Sequence, residues 1–491
     1  MKKKIGICLL LVLVLAVFSC DTESKPTPCK CCNDTKVCIN AATCNGACCC
    51  AECKYKCEGC DVLYARWPFP VGVAVPGANT SNVSGGADAN NALLPENQQY
   101  KLLKHFNVVV AENEMKPSNL LPSTRPTLTL SKIGEGTEEE QAADFEAWKK
   151  DYKWAAADAL VEYAQANGKK IRGHTLFWHS QSPDWFFLKS TPANNTLITK
   201  DELYYRMDLH IRTVFERYAG KIHSWDVANE VISQSDNSGP RIPVKTLGSR
   251  SGEESYYTNI MNLDSSLSGF EKAFDFVRHA FERSRYWADH YKDNNVQLYL
   301  TDFGVERPFI RGGTTKQKDF YDLITLLINK NAPIDGIGFQ GHFRLYDHPV
   351  DGKSCLETAC KANGGTSCTH NIKAGVEMFS NFTRTDGRKL KIIFCELDFS
   401  IFSNNKSQGS LTTMPAGDLP VRLADLGQTY RDFFDMFKEY YNKGVIDMVL
   451  IWGIADGHSW LNAHPVSGRT DYPLLFDRSY GKKEAYLKLV E

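Results

Sequence analysis

Eight short apolar runs between residue 61 and the C-terminus constrain the fold of this chain more than any other feature of its sequence. They are mostly continuous rather than alternating in polarity, as is typical of strands that are buried on both faces of a parallel sheet. The runs are Val71–Val75, Asn107–Ala111, Ile171–Thr175, Ser224–Val227, Gln297–Phe303, Ile334–Phe339, Lys391–Phe394 and Met448–Ile451. We therefore predict eight buried strands.

Helical patterns separate these runs. Met207, Ile211, Val214 and Tyr218 recur at spacings of four and three, and Gly220 follows where a helix C-terminus is typical. Further helical segments are Lys153–Ala166, Phe270–Phe281, Asp319–Asn329 and Leu426–Tyr440. Strands that alternate with helices in this way predict the α/β class and a (β/α)8 TIM barrel. A doubly wound open sheet is the alternative, but no Gly-x-Gly-x-x-Gly turn follows the first strand to support it.

The predicted catalytic domain covers residues 61–491 and contains two segments that are longer than simple connections. They lie near residues 236–268 and 345–389, and both follow predicted strands. Long loops after the strands of a barrel lie on the face that carries the active site. We therefore expect both insertions to wall a substrate cleft.

The first 20 residues predict an export signal. Three lysines at positions 2–4 precede the apolar run Ile5–Phe18, which is too short to span a bilayer. The segment ends at Ser19-Cys20, which is similar to a bacterial lipoprotein processing box. Lipid attachment at Cys20 and ordinary cleavage both stay open, so the protein is expected to be secreted or lipid-anchored at the cell surface.

Residues 21–60 form a cysteine-rich module or spacer. Of the 17 cysteines in the chain, 11 lie between Cys29 and Cys60. Such density in an exported chain favours disulfides, and the spacings do not reduce to the two clean pairs of a zinc site. Cys355, Cys360 and Cys368 predict one further disulfide within the second insertion.

The overall charge excludes some partners. The formal net charge is −1 and no basic stripe is present, which argues against a nucleic-acid partner. No later segment is long and apolar enough to span a membrane, so membrane association is expected only through a lipid on Cys20. Near-neutrality suits an uncharged polysaccharide, although it fits most globular enzymes equally well.

Polar and aromatic side chains follow six of the eight predicted strands. They are Glu112, Asn113 and Lys116; His174, Trp178, His179 and Gln181; Asn229 and Glu230; Gln340 and His342; Glu396 and Asp398; and Trp452, Asp456 and Trp460. Each alone has a structural explanation as a helix cap, a core residue or an ion-pair partner. A barrel, however, brings all of these strand ends to one mouth, which favours a common site.

The residue types at this mouth suit a sugar. Indole rings stack on pyranose faces, and amides and imidazoles hydrogen-bond to hydroxyls. Glu230 and Glu396 supply the two carboxyls that cleavage of a glycosidic bond requires, one as an acid and the other as a nucleophile or base. Because two nearby carboxylates repel each other, we expect the pKa of one to be raised. No His-Glu-x-x-His motif occurs, so neither a catalytic metal nor a cofactor is expected.

The strand-end motifs resemble those of glycoside hydrolase family ten, the endo-β-1,4-xylanases. Six runs occur in the family's order and cover the chain from about Asp61 to the C-terminus. They are Glu112-Asn113-Glu114-Met115-Lys116, Gly173 to Gln181, Trp225-Asp226-Val227-Ala228-Asn229-Glu230, Ile334 to His342, Glu396-Leu397-Asp398, and Trp452 to Trp460.

The resemblance implies a retaining double displacement, with Glu230 as the acid/base and Glu396 as the nucleophile. It also implies that Asn229 bonds the 2-hydroxyl of the attacked sugar and that His342 and Asp398 orient Glu396. Gln340 is implied to support Glu230. The next sugar on the non-reducing side is implied to be bound by Glu112, Asn113 and Lys116. The reacting ring is implied to be framed by His174, Trp178, Gln181, Trp452 and Trp460.

The chain departs from the family pattern beside the predicted cleft. Pro117 replaces a usual tryptophan, and Thr301-Asp302-Phe303-Gly304 replaces a usual Asn-Asp-Tyr-Asn. The expected function is endo-acting hydrolysis of plant cell-wall xylan. A related β-1,4-glycanase that accepts glucan or mixed-linkage substrates is an alternative. A non-catalytic polysaccharide-binding protein is another, but the two intact glutamates argue against it.

Overall fold

A computed structural model describes residues 62–77, 91–189, 196–234, 238–249, 251–306, 316–345, 372–402 and 410–491. Within this part of the chain, Val62–Glu491 forms one compact unit. The export signal, the cysteine-rich module, the lipid site at Cys20 and the cysteines at 355, 360 and 368 lie outside the described residues. They stay predictions.

Eight parallel strands close into a barrel, which confirms the predicted fold. We number them β1 to β8: Val71–Val75, Val108–Ala111, Lys170–Gly173, Ser224–Asn229, Gln297–Asp302, Gly336–Phe339, Lys391–Ser400 and Ile446–Ile451. Each strand pairs with the next along the chain, and β8 pairs with β1 to complete the ring.

Strand β7 is the element whose length the sequence underestimates most. The apolar run ends at Phe394, but the strand continues to Ser400. It continues because a short strand beyond β6, His342–Arg344, pairs with it, so that His342 lies opposite Asp398. Glu396 and Asp398 are therefore strand residues, whereas Glu230 directly follows the last residue of β4.

Helices lie between the strands, as predicted. The α-helices are Gln98–Leu102, Pro117–Leu120, Glu138–Lys149, Ala155–Ala166, Lys200–Tyr218, Tyr256–Leu263, Gly269–His290, Lys316–Asn329, Ile372–Phe379, Leu419–Asn442 and Glu484–Val490. The helix Lys200–Tyr218 begins with a capping box between Thr199 and Glu202, and Gly220 follows its end with a φ of +75°. Glycine adopts this left-handed conformation at little cost, so it terminates the helix where the sequence predicts.

Apolar side chains form two clusters. The larger cluster fills the space between the strands and the helices. The smaller one lies inside the barrel and comprises Ala74, Val108, Val110, Tyr299, Ile393, Cys395, Met448, Leu450 and Trp452. Cys395 is thus a fully buried apolar residue in the barrel interior. Trp452 links this interior layer to the mouth.

The described part of the first insertion contains a helix, Tyr256–Leu263, and two short parallel strands, Ile242–Pro243 and Glu254–Ser255. Most of the second insertion lies outside the described residues. Among the helices of the described residues, none combines the length and apolar character that a membrane span requires.

Candidate active site

Shifts in strand pairing occur beside both glutamates at the mouth of the barrel. The pairing of β4 with β5 shifts by one residue between Asp226 and Ala228, just before Glu230. The pairing of β7 with β8 shifts between Phe394 and Leu397, a stretch that includes Glu396. Bulges of this kind re-aim a side chain, and they are frequent at barrel rims and beside active sites.

Glu230 is held by hydrogen-bond donors on both carboxylate oxygens. The Trp178 indole donates to Oε2 at 3.0 Å, and the Gln340 amide donates to Oε1 at 2.8 Å. The Asn229 amide nitrogen lies 3.4 Å from Oε1. Four residues predicted to share a site, from three different strand ends, therefore meet at one carboxyl group.

Arg241, from the first insertion, also contacts Glu230. Its Nε donates to the Glu230 backbone oxygen at 2.8 Å, and its Nη2 lies 3.4 Å from Oε2. Sequence reasoning missed this residue, because it stands alone in a Ser- and Gly-rich loop that shows no periodic pattern.

Cations around Glu230 favour its ionised form. Burial has the largest single influence and raises the pKa of this carboxyl. The charges of His179, Arg241 and Lys316, together with the hydrogen bond from Gln340, outweigh burial and leave the pKa below its usual value.

Glu396 is held on one oxygen by His342, which also forms an ion pair with Asp398. His342 Nε2 lies 3.2 Å from Glu396 Oε2, and His342 Nδ1 lies 3.0 Å from Asp398 Oδ1. The Trp460 indole donates to Asp398 Oδ2 at 2.8 Å. Burial lowers the pKa of His342, but the charges and hydrogen bonds of Asp398 and Glu396 outweigh it and raise that pKa to about 10. His342 is therefore a cation that donates to Glu396 and forms an ion pair with Asp398.

A fully buried ion pair lies behind Glu396. The Arg172 guanidinium pairs with Asp226 and donates to the Cys395 backbone oxygen at 2.9 Å. Asp226 also accepts a hydrogen bond from His174 Nδ1 at 2.7 Å. Arg172 Nη2 and His174 Nε2 lie 3.8 and 4.0 Å from Glu396 Oε1. Sequence reasoning did not single out Arg172, although an arginine inside a strand that is predicted to be buried is a signal of a buried partner.

Glu396 also has a lowered pKa. Burial raises the pKa most strongly, but the hydrogen bond from His342 and the charges of His174, His342 and Arg172 outweigh it. The expectation that repulsion raises the pKa of one carboxyl is therefore wrong for this structure, because cations surround both Glu230 and Glu396.

The end of β2 carries a separate polar cluster. Lys116 Nζ donates to Asn113 Oδ1 at 3.0 Å and lies 4.9 Å from the centre of the Trp178 ring. The Gln181 amide lies 3.5 Å from the same Asn113 oxygen. Burial and the nearby charge of Glu114 raise the pKa of Glu112 to about 7, against the opposing influence of Lys116.

Two tryptophans from the end of β8 flank the histidines. Trp452 packs edge-on against His174 at 5.5 Å, and Trp460 packs against His342 at 4.9 Å between ring centres. The structure thus links the predicted site residues through contacts around one mouth. Asp456 is different, because it is buried in an ion pair with Lys483 at 2.8 Å and shows a structural role.

Comparison with protein families identifies this architecture. Residues 77–491 match the model of Glycosyl hydrolase family 10. The chain belongs to this family. It is therefore a glycoside hydrolase.

Curated proteins of the family have similar sequences. Endo-1,4-beta-xylanase C of Paenibacillus barcinonensis is 33% identical over 413 residues, which cover 84% of this chain and 31% of that protein. The chain thus spans about a third of that relative's length. The thermostable celloxylanase of Thermoclostridium stercorarium is 30% identical over 432 residues, which cover 86% of this chain and 84% of that protein.

Solved structures of the family share the fold. The structure of a GH10 protein from Paenibacillus barcinonensis matches with a TM-score of 0.63 and 31% identity, and the match covers 88% of this chain and 97% of that one. An endo-1,4-beta-xylanase from Caldicellulosiruptor owensensis matches with a TM-score of 0.59 and 28% identity, over 87% of this chain and 98% of that one.

Proposed function

We propose that this family 10 barrel hydrolyses internal β-1,4-xylosidic bonds of xylan by a retaining double displacement. Glu396 is the nucleophile and Glu230 is the acid/base. The observation that carries the proposal is the asymmetry of the Glu396 carboxylate. Its Oε2 is held by His342, whereas its Oε1 is buried and accepts no hydrogen bond from the described residues. Oε1 is thus oriented and available to attack.

In the first step, Glu396 Oε1 attacks the anomeric carbon and forms a glycosyl ester. Glu230 donates its proton to the departing sugar oxygen. Sugar binding displaces water from Glu230, which strengthens the influence of burial and raises its pKa toward the range in which it carries a proton.

In the second step, Glu230 acts as a base. Glu396 is now a neutral ester, and Glu230 has lost its proton to the departed sugar. Glu230 accepts a proton from water, and the resulting hydroxide attacks the anomeric carbon and releases Glu396. Two inversions in succession preserve the configuration of the sugar.

The surrounding groups bind and orient the sugar chain. The Thr301 hydroxyl donates to the side-chain oxygen Oδ1 of Asn229 at 2.8 Å, so the Asn229 side-chain nitrogen is directed toward Glu230 and the 2-hydroxyl of the reacting sugar. Trp452 and Trp460 cover the faces and edge of that sugar. Glu112, Asn113 and Lys116 hold the next sugar on the non-reducing side.

Hydrolysis of β-1,4-glucan is the second candidate function, because one relative carries the name celloxylanase. Xylose lacks the hydroxymethyl group of glucose, so discrimination depends on how closely Trp460 and its neighbours fill that space. A product profile on xylan, cellulose and mixed-linkage glucan tests both candidates. Short xylo-oligosaccharides from xylan alone support the first. Binding without products from any of the three contradicts both.

We further propose that the protein is exported and meets xylan outside the cell, with attachment through Cys20 as the alternative to free secretion. The proposal rests on the apolar N-terminal segment. Metabolic labelling with a palmitate analogue, compared between the full chain and Cys20→Ser, distinguishes the two.

The role of the cysteine-rich module is tested by deleting residues 21–60 and measuring activity on soluble and insoluble xylan. This comparison distinguishes a module that binds polysaccharide from one that is only a spacer.

A further inference from the structure

Glu230 adopts an unusual backbone conformation that Arg241 helps to hold. Its φ is +54°, in the left-handed region that is uncommon for residues with a side chain. The Glu230 N–H donates to the Thr301 carbonyl at 2.9 Å, and its carbonyl accepts from Arg241 Nε at 2.8 Å. Both peptide groups of the residue are thus fixed, and the side chain is directed into the mouth.

Arg241 is itself fixed by contacts that do not involve Glu230. Its Nη1 lies 3.0 Å from Glu253 Oε1 and 3.4 Å from the Gly252 oxygen, and its own carbonyl accepts from Thr258 Oγ1 at 2.7 Å. The Arg241 side chain is 3% exposed, whereas that of Glu253 is 36% exposed. The guanidinium is therefore directed inward at Glu230, and its counter-ion Glu253 lies nearer the surface.

Several charged groups face Glu230, and Arg241 is in direct contact with it. The others are His179, Lys316, Lys116 and Asp302. Lys316 is paired with Asp302 at 2.7 Å, and His179 Nε2 bonds the Gly252 oxygen. The Arg241 guanidinium forms an ion pair with the Glu230 carboxylate at 3.4 Å.

We propose that Arg241 is a positioning residue that holds Glu230 in place and favours its ionised form, so that its main contribution is to the second, base-catalysed step. The inference rests on the proposed role of Glu230. A guanidinium stays charged at every working pH, so the same contact opposes protonation of Glu230 in the first step. Arg241 thus lowers the fraction of Glu230 that carries a proton for the first step and raises the fraction that is ionised for the second.

The test compares Arg241→Met with Arg241→Lys and with Glu253→Gln, which retains the guanidinium and serves as the matched control. The pKa of Glu230 is measured by carbon NMR of glutamate-labelled protein, with the signal assigned from Glu230→Gln. We expect Arg241→Met to raise this pKa by about one unit or more. Both Arg241→Lys and Glu253→Gln, which keep a cation at this position, should leave it low.

Kinetics give the second readout. With an aryl xylobioside whose leaving group needs no acid, the second step limits kcat, and Arg241→Met should lower it by about tenfold or more near neutral pH. On xylan, the loss of kcat/KM at high pH should move upward together with the pKa of Glu230. Arg241→Lys should keep the wild-type pH profile.

An unchanged Glu230 pKa in folded Arg241→Met would overturn the proposal. So would a kcat loss that Glu253→Gln reproduces in full, because that loss would reflect loop packing. If Arg241→Met does not fold, the same titration on Arg241→Gln decides. If the wild-type chain hydrolyses neither xylan nor glucan, the proposed function fails, while the titration still tests the contact between Arg241 and Glu230.

Discussion

Glu396 in β7 and Glu112 after β2 are both glutamates at the mouth of the barrel, but their surroundings shift their pKa values in opposite directions. Glu396 faces His342, His174 and Arg172, and its pKa is lowered. Glu112 shares one lysine, Lys116, with a second carboxyl, and its pKa is raised to about 7.

The comparison shows that the number of nearby cations, rather than burial alone, sets the charge of a carboxyl at this mouth. Burial is the largest influence on both groups and raises both pKa values. Around Glu396 the cations outweigh burial, which keeps the nucleophile ionised. At Glu112 they do not, so this carboxyl can donate a hydrogen bond to a sugar below neutral pH.

The largest effect is expected from Glu396→Ala. Loss of the nucleophile should lower kcat on xylan by about 10⁴-fold or more, because the covalent step cannot occur. Binding of xylan, measured by affinity electrophoresis, should persist. Glu112→Gln, on the other side of the comparison, should keep most of kcat. Retained turnover in Glu396→Ala would exclude the nucleophile assignment.

The next effect concerns the buried cation behind Glu396. Arg172→Met leaves Asp226 buried without its guanidinium partner, so we expect a loss of about 3–5 kcal/mol in the free energy of unfolding. Denaturant unfolding measures this loss. The double variant Arg172→Met, Asp226→Asn should recover part of it, since the uncompensated charge is then absent. If the double variant is no more stable than Arg172→Met, charge pairing is not what Arg172 contributes.

A smaller effect is expected at Glu112. Its folded-state pKa lies above its ordinary value of 4.5, so its contribution to stability is present at low pH and is lost as pH rises toward about 7. Glu112→Gln should therefore stabilise the protein by about 1–2 kcal/mol near pH 8 and have little effect near pH 4, since the group is partly exposed to solvent. Thermal unfolding at both pH values measures the difference. Equal shifts at both would contradict a raised pKa.

The sequence predicts the barrel well because its strands are buried on both faces and read as continuous apolar runs. Once these runs are recognised, the residues that follow them, among them Glu230 and Glu396, are predicted to lie at the mouth of the barrel. Strand β7 is longer than its apolar run because its extension depends on pairing with His342–Arg344, a contact between segments distant in the chain.

Features that depend on three-dimensional contacts could not be predicted. The bulges in β4 and β7 are local changes of pairing with no composition of their own. Arg241 reaches Glu230 from an irregular loop. The raised pKa expected for one carboxyl of the pair followed from repulsion alone, and it was wrong because the charges of Arg172, Arg241 and the histidines had not been weighed against that repulsion.

The configuration of the first product tests the central claim most directly. Proton NMR of xylo-oligosaccharides, recorded in the first minutes of hydrolysis before mutarotation, reports the anomer at the new reducing end. Because Glu396 forms a covalent ester that water then displaces, the account predicts the β-anomer. Initial formation of the α-anomer would show a single inverting displacement and would contradict the assignment of Glu396 as a nucleophile.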